Sequence, residues 1–249
     1  MKKLKVFAIL VCTLLFSKLS FAESGWQFNI MVPIGASFSF YNVHFSSQAT
    51  ADYMNNYQKR TGTIGFDAGV NLQGGYIVTD GDKGISLLLD LGYSHDSFGL
   101  TSTSKDVNTQ EDIKTKEYYT FENLSIGILP KFHYKEFAFG LGLGVKLPLY
   151  LTHSAEFTID NTTTKTYGYY NTSKINSVLK NSVITYVKLT FDYSFNVHDD
   201  IALLLGVYVG TDFGLDLRGS ELVMVDSRDL ASFDLGVLLG VKFGEGLFD

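Results

Sequence analysis

The chain has 249 residues with a formal charge of −6, three prolines and one cysteine. This length suits one β domain of ordinary size, and the scarcity of proline excludes a proline-rich linker. The acidic excess argues against a nucleic-acid binder, which would need a basic face, and one cysteine cannot form a disulfide within the chain.

Residues 1–22 have the pattern of a secretory signal peptide. Three lysines precede the apolar run 6–16, and the small residues Ser20 and Ala22 indicate a cleavage site before Glu23. The run is about half the length of a membrane-spanning helix, which disfavours the alternative of an uncut signal anchor. Cleavage removes four lysines and the only cysteine, so the mature chain, residues 23–249, has 16 basic and 26 acidic residues and a net charge of −10.

Eight runs of alternating apolar and polar residues follow. In chain order they cover residues 26–40, 64–78, 85–94, 123–132, 137–150, 183–195, 201–212 and 233–243. A period of two predicts strands, and each run reaches roughly the 9–11 residues that a tilted strand needs to cross a bilayer. The fourth run starts irregularly, because Tyr119 and Phe121 are out of phase with Leu124, which predicts a bulge near Glu122.

Long and short connections alternate between the runs. Residues 41–62, 99–118, 152–182 and 213–231 form long polar connections, whereas residues 79–84, 135–136 and 196–200 form short ones. This alternation is typical of an up-and-down meander whose strand ends face different compartments. The sequence therefore predicts an all-β, eight-stranded antiparallel up-and-down transmembrane β-barrel. Its N-terminus would lie in the periplasm and its four long loops outside the cell.

The distribution of charge indicates which face of the strands is inside. A soluble lipocalin-like barrel would hide its apolar face, but here the polar face carries many ions, and each unpaired ion in a dry pocket would cost several kcal/mol. The apolar faces are nearly free of charge and suit hydrocarbon. We therefore predict that the polar faces line the lumen and form a polar network there. Its predicted members are Asp67, Asp90, Glu122, Lys131, Lys146, Lys188, Asp192, Asp212, Asp234 and Lys242.

The fifth run, FAFGLGLGVKLPLY, follows the same division. Its odd-numbered residues are predicted to face lipid, and its even-numbered residues, Tyr150 included, to face the lumen. Glycine on the inner face makes room for long neighbours such as Lys146, Tyr186 and Tyr208. The run is not a nucleotide-binding loop, because Val145 stands where the third glycine is needed and no helix follows. No cofactor is predicted.

The chain resembles the small eight-stranded outer-membrane barrels of the OmpA, OmpX and OmpW type. The resemblance covers residues 25–244 and rests on strand pattern and loop order. It implies a monomer in a Gram-negative-type outer membrane, in contact with membrane lipid and a lipopolysaccharide-like glycolipid. Such barrels usually end on an aromatic residue, whereas this chain ends on Asp249 after Phe248. No appended domain follows, so peptidoglycan binding is not expected.

Few residues suggest metal binding or catalysis. The five histidines are scattered and lack the spacing of a metal site. His95 and Ser97 share the lipid face, and this pair resembles the His-x-Ser pair of eight-stranded lipid A deacylases, in which an acid orients the imidazole. Phe98 follows the serine where that family has asparagine. We therefore expect no enzyme activity.

The leading functional hypothesis is a structural or cell-surface interaction role carried by the four long loops. The connection 152–182 is rich in Thr, Asn and Tyr, which suits contact with host molecules or phage. A narrow pore for small solutes or ions is the first alternative, because acids outnumber bases in the predicted lumen. A lipid A-modifying enzyme is the second.

Overall fold

The computed structural model describes residues 23–51, 54, 60–105, 112–159, 162–198, 200–220 and 224–244. The predicted signal peptide, residues 1–22, lies outside these ranges, so its cleavage stays a prediction. Among the described residues no helix combines the length and the apolar character needed to cross a bilayer.

Ten β-strands and a four-residue helix have defined bounds. In chain order they are β1 (Glu23–Phe45), β2 (Thr61–Asp80), β3 (Lys83–Lys105), β4 (Asp112–Tyr134), β5 (Phe137–Ile159), β6 (Thr162–Asn171), α1 (Thr172–Ile175), β7 (Leu179–Asn181), β8 (Ile184–His198), β9 (Ile201–Ser220) and β10 (Val225–Gly244).

Eight of these strands close into a cylinder. β1 to β5, β8, β9 and β10 pair antiparallel in that order, and β10 returns to pair with β1 from Gln27↔Gly244 to Phe45↔Val225. Closure lets neighbouring strands satisfy each other's backbone groups without water, as a lipid environment requires. The predicted eight-stranded antiparallel barrel is confirmed. β6 pairs with β5 and β7 with β9, both at the end of the barrel that carries the long connections.

The two faces of the strands have opposite character. Trp26, Leu87 and Leu189 point outward and are 64%, 59% and 58% exposed, whereas Asp90 and Lys131 point inward and are 0% and 3% exposed. Soluble proteins rarely expose contiguous apolar surface on this scale. The outer face therefore suits acyl chains, and the lumen holds the charges.

The strands run further than the alternating apolar pattern predicted. The β3–β4 ladder continues to Lys105↔Asp112, through residues 99–105 and 112–118, which were expected to belong to a loop. The connection 152–182 likewise contains the end of β5, all of β6 and β7, and α1. The prediction of long loops is corrected here, because cross-strand pairing continues through residues whose outer side chains are polar. On β4 the outward side chains change from Leu124 to Glu122 and Thr120 at this level.

The interior changes from polar to apolar toward the same end. Eleven buried side chains from the strands and the long connection form one cluster, which we call the upper apolar layer. They are Phe98, Leu100, Tyr119, Phe121, Leu151, Ile175, Leu179, Ile184, Leu215, Leu217 and Leu230. Ile175 lies on α1 and Leu179 on β7, so the connection 152–182 folds back and contributes to the core.

The register between β4 and β5 shifts at the position where the sequence predicted a bulge. Glu122 pairs with Tyr150, but Asn123 pairs with Pro148, so the additional residue, Leu149, belongs to β5 and not to β4. The bulge reverses the phase of β5. Tyr150, predicted to face the lumen, consequently lies on the outer face and is 38% exposed.

The aromatic residues that suggested this bulge need no irregularity in β4. Tyr119 and Phe121 alternate regularly with the outward Leu124 and point inward, where both are buried. They broke the expected pattern because the interior at their level is apolar.

Candidate functional site

Charged and amide side chains bond one another across the middle of the lumen. Asp90 on β3 accepts hydrogen bonds from Asn71 (2.9 Å) and Gln73 (3.2 Å) on β2. Its other oxygen accepts from Lys188 Nζ at 2.5 Å and from the Tyr186 hydroxyl at 3.3 Å, both on β8. One buried carboxylate thus ties β2 and β3 to β8 through the centre of the barrel.

A second ionic cluster lies nearer the upper apolar layer. Lys146 on β5 donates to Asp96 at 2.8 Å and to Asp212 at 2.5 Å. Asn123 also donates to Asp96, at 2.5 Å. The three charged side chains are at most 13% exposed. Because buried ions need partners of opposite charge, Lys146 holds two acids in place at once.

The end of the lumen with the short turns is basic. Lys131 pairs with Asp192, and both side chains are almost fully buried. Lys242 is 4% exposed and forms no ion pair with the described residues. His133, also buried, shares a 2.9 Å hydrogen bond with Ser86. This end therefore has one more lysine than it has carboxylates.

The structure places nine of the ten predicted network residues on the lumen side. They are Asp67, Asp90, Lys131, Lys146, Lys188, Asp192, Asp212, Asp234 and Lys242. Six of them form three separate ion-paired groups rather than one network. Asp67, Asp234 and Lys242 form no ion pair with the described residues, and strand periodicity carried no information about which acid meets which lysine. The tenth, Glu122, was predicted in the lumen and is corrected: it lies on the outer face, because β4 keeps its phase through this position.

Glu122 instead joins a polar cluster on the outside of the barrel. Its Oε2 accepts a 2.7 Å hydrogen bond from the Tyr93 hydroxyl, and its Oε1 lies 2.7 Å from His95 Nδ1. Ser97 is on the same face of β3, where its Oγ lies 3.0 Å from Thr120 Oγ1. We call these five residues the outer polar cluster. The sequence identified the His-x-Ser pair, but it missed the acid because Glu122 was assigned to the wrong face.

A fourth charged group lies at the end of the barrel that carries the long connections, beyond the apolar outer surface. Glu117 on β4 is bound by Arg60, whose Nη2 lies 2.9 Å from Oε1, and His153 Nε2 is 3.7 Å from its Oε2. Tyr119 stacks on His153 with ring centroids 4.5 Å apart. Burial alone would raise the pKa of Glu117, but His153 and the guanidinium of Arg60 outweigh burial and lower this pKa.

Glu117→Gln is expected to reduce stability more at neutral pH than at low pH. A carboxyl whose pKa is lowered by folding stabilises the folded state above its unfolded pKa, and this contribution disappears as pH falls through the folded pKa. The free energies of unfolding of the wild type and the variant should therefore converge between pH 7 and about pH 3. Urea unfolding of the refolded barrel at several pH values measures this. Glu156→Gln, at a more exposed pair with Lys165, is the control, and a pH-independent difference for Glu117→Gln would contradict the expectation.

The lumen holds a small cavity. Its volume is about 80 Å³, and it is bordered by Met31, Asp67, Lys146, Tyr208 and Asp234, among others. This space accepts several water molecules. Eight strands leave an interior that side chains nearly fill, and the upper apolar layer lies between this level and the barrel end that carries the long connections.

A closed eight-stranded ring, an apolar outer belt and a charged lumen together define a transmembrane β-barrel of the outer-membrane type. Soluble barrels with an apolar interior have the opposite arrangement. The protein is therefore an integral outer-membrane β-barrel.

Several solved outer-membrane proteins are similar to this chain. No protein-family model and no curated protein matches the sequence. Among solved structures, the chain is similar to the attachment invasion locus protein Ail of Yersinia pestis, at 12% identity over 86% of this chain and 97% of that chain, with a TM-score of 0.29. It is also similar to OprG from Pseudomonas aeruginosa, at 14% identity over 90% of this chain and 96% of that chain, with a TM-score of 0.36. A third similar structure is the outer membrane protease OmpT from Escherichia coli, at 9% identity over 91% of this chain and 99% of that chain, with a TM-score of 0.37. At these identities the likeness concerns the fold alone.

Proposed function

We propose that this barrel is closed to solutes and acts as a rigid platform for contacts at the cell surface. The observation that carries the proposal is the crowded lumen, in which ion pairs and then the upper apolar layer occupy most of the interior. A surface role needs no passage through the barrel, whereas transport does. The N-terminus and the short turns lie in the periplasm in this proposal, and the long connections lie outside.

The β5–β6 hairpin is the part best suited to such contacts. β6 pairs with β5 over ten residue pairs, and its side chains are mostly exposed. Tyr167 and Tyr169 are 59% and 61% exposed, and their rings stack with centroids 6.4 Å apart. Exposed tyrosine supplies large amphipathic contact area at a low entropy cost. Host surface molecules and phage are the partners we propose for it.

Tag accessibility on intact cells tests the orientation. A peptide tag inserted after Thr163 should be reached by antibody from outside, and one inserted after Gly81 should not. The double variant Tyr167→Ser/Tyr169→Ser should then reduce attachment of expressing bacteria to epithelial monolayers, or adsorption of phage, while surface abundance stays constant. Reversed labelling would contradict the orientation. Unchanged attachment and adsorption would contradict the role of the hairpin.

The closed lumen predicts that the protein conducts no ions across a planar bilayer. Purified, refolded protein should give no steady single-channel steps in potassium chloride, because the buried side chains of the upper apolar layer lie across the lumen. The triple variant Phe98→Ala/Phe121→Ala/Leu151→Ala, which removes bulk from that layer, is the positive comparison. Regular conductance steps from the wild type would favour the alternative of a narrow pore.

Monomeric behaviour is part of the same proposal. The ring closes within one chain, so no second copy is needed to satisfy its strand edges. The outer belt would contact phospholipid, and at the outer rim the glycolipid of the outer leaflet.

The outer polar cluster favours a second candidate function, hydrolysis of an acyl ester in the outer leaflet. His95 Nδ1 facing Glu122 at 2.7 Å leaves Nε2 free to accept a proton, and Ser97 lies two residues along the same face. In this scheme Ser97 Oγ attacks the ester carbonyl, the glycolipid alcohol leaves, and water then releases the fatty acid. Ser97 must first leave Thr120, its partner in the structure.

Mass spectrometry of fatty acids released from purified lipid A decides between the two candidates. If the cluster is catalytic, the wild type releases acyl chains, and His95→Ala and Glu122→Gln lower the rate by at least a hundredfold. The control is His44→Ala, because His44 forms a similar 2.6 Å pair with Asp229. No release by the wild type would eliminate the enzyme.

A further inference from the structure

The charges around the lumen cavity do not balance. Asp67, Asp96, Asp212 and Asp234 border it together with Lys146. Lys146 pairs with two of these acids, Asp96 and Asp212. If all five are ionised, the group has three more negative charges than positive ones.

The other two lysines that border the cavity form ion pairs with acids outside it. Lys188 pairs with Asp90, and Lys131 pairs with Asp192. Neither of these two acids borders the cavity. The two lysines are therefore neutralised by their own partners, and they leave the excess of the four aspartates uncompensated.

Asp234 is the side chain that indicates a ligand site. It is 5% exposed, it borders the cavity, and its Oδ1 has no hydrogen-bond partner among the described residues. Asp67 pairs directly with Asp96 across β2 and β3, an arrangement of like charges that is unfavourable without compensation. A buried carboxylate oxygen without a partner costs considerable free energy, and a cation would remove that cost.

We propose that this cavity binds one hydrated divalent cation of the Mg²⁺ class, held by Asp234 and Asp67. Carboxylate oxygens are hard ligands that suit Mg²⁺ and Ca²⁺. Among the described residues no three acidic, His or Cys side chains converge on one point, so a fully chelated ion is not accommodated. Mg²⁺ usually keeps several waters and takes one or two carboxylates, and the cavity has room for those waters.

A divalent ion matches the excess charge better than a monovalent one. It lowers the net charge of the group from −3 to −1 at a single position, whereas Na⁺ or K⁺ leaves −2. This inference is independent of the proposed surface role, because it concerns only the lumen.

Binding of Mn²⁺, a paramagnetic substitute for Mg²⁺, provides the test. The full mature chain is refolded from inclusion bodies into detergent free of lipopolysaccharide, stripped with EDTA, and titrated with Mn²⁺ while free Mn²⁺ is followed by EPR. We expect one Mn²⁺ per barrel, displaced by excess Mg²⁺. Asp234→Asn and Asp67→Asn should each weaken binding at least tenfold, and Asp229→Asn, at an exposed pair with His44, should not change it.

Three results would overturn the proposal. The wild type could show no saturable binding of Mn²⁺, Asp234→Asn and Asp67→Asn could bind Mn²⁺ as tightly as the wild type, or equimolar Na⁺ could displace the bound Mn²⁺. If the variants do not fold, as judged by heat-modifiable migration on gels, the wild type alone decides. Bound Mn²⁺ must then broaden the NMR signals of Gly210 and Leu238, which border the cavity, and spare those of Gly81 in a short turn. Broadening at Gly81 alone would equally overturn the site.

Discussion

Lys146→Met is expected to lower the free energy of unfolding by about 3–5 kcal/mol, the range found when one partner of a buried ion pair is removed. Lys146 is the counter-charge of both Asp96 and Asp212, and all three side chains are largely withdrawn from water. Methionine keeps most of the volume, so the loss comes from two buried carboxylates that lose their cation. Urea unfolding of the refolded barrel, followed by tryptophan fluorescence of Trp26, measures the change.

Two companion variants separate the charge effect from a general intolerance of substitution. Lys165→Met removes a lysine from an exposed pair with Glu156 and should leave stability unchanged, because surface ion pairs contribute little. Adding Asp212→Asn to Lys146→Met should restore part of the lost free energy of unfolding, since it removes one of the two carboxylates that have no cation beside them. A single variant as stable as the wild type would show that the buried carboxylates do not depend on this lysine.

The barrel and its inside-out character could be predicted because the faces of its strands differ so strongly. In the run 85–94, Leu87, Leu89 and Leu91 alternate with Ser86 and Asp90, and this pattern alone assigns a period and a face. Closure also follows, because strands in lipid cannot leave an open edge. Nine lumen residues followed from this phase without any knowledge of their partners.

Residues at the upper rim could not be assigned in the same way. Alternation identifies a face only while the interior remains polar and the exterior apolar, and both change at one level of this barrel. There Phe121 points inward and Glu122 outward, the reverse of what polarity suggests. The extra residue Leu149 in β5 also changes the phase for Tyr150, and a one-residue shift of this kind moves every later side chain to the other face.

The partners within the lumen ion pairs could not be predicted from the sequence, for a different reason. Asp90 meets Lys188 and Tyr186 across the barrel, 98 and 96 residues away in sequence. Such contacts depend on the diameter and stagger of the cylinder, which fix the height of each side chain. The sequence provides the charges, and the geometry of the closed ring selects the partners.

Paired glycines under a tyrosine recur in this cylinder. Gly127 pairs with Gly144 between β4 and β5, and the ring of Tyr186 covers both. Gly35 and Gly236 pair between β1 and β10 and lie under Tyr208 in the same way. Each pair leaves a flat strip of backbone on the inner wall, which lets a large ring lie against it with its hydroxyl next to Gly127 or Gly35.

Gly144→Ala is consequently expected to destabilise the barrel by about 3 kcal/mol, at the upper end of the usual cost of overpacking. A Cβ at this position would lie 2.4 Å from the carbonyl oxygen of Ile126, 2.7 Å from Gly127 Cα and 2.7 Å from Cε1 of Tyr186. Two of these atoms belong to the backbone of the neighbouring strand, so relief requires β4 and β5 to separate locally and the Tyr186 ring to move as well. Urea unfolding measures the loss.

Gly210→Ala is the matched control, because it adds the same methyl group to another lumen glycine. The nearest atoms to a Cβ there are the Val187 carbonyl oxygen at 3.3 Å and Lys188 Cβ at 3.5 Å, so a small adjustment accommodates it. We expect this variant to remain within about 1 kcal/mol of the wild type. Equal losses for the two variants would mean that methyl groups are excluded from the lumen in general. Selective loss at Gly144 instead identifies close contact between β4, β5 and Tyr186 as the reason for glycine there.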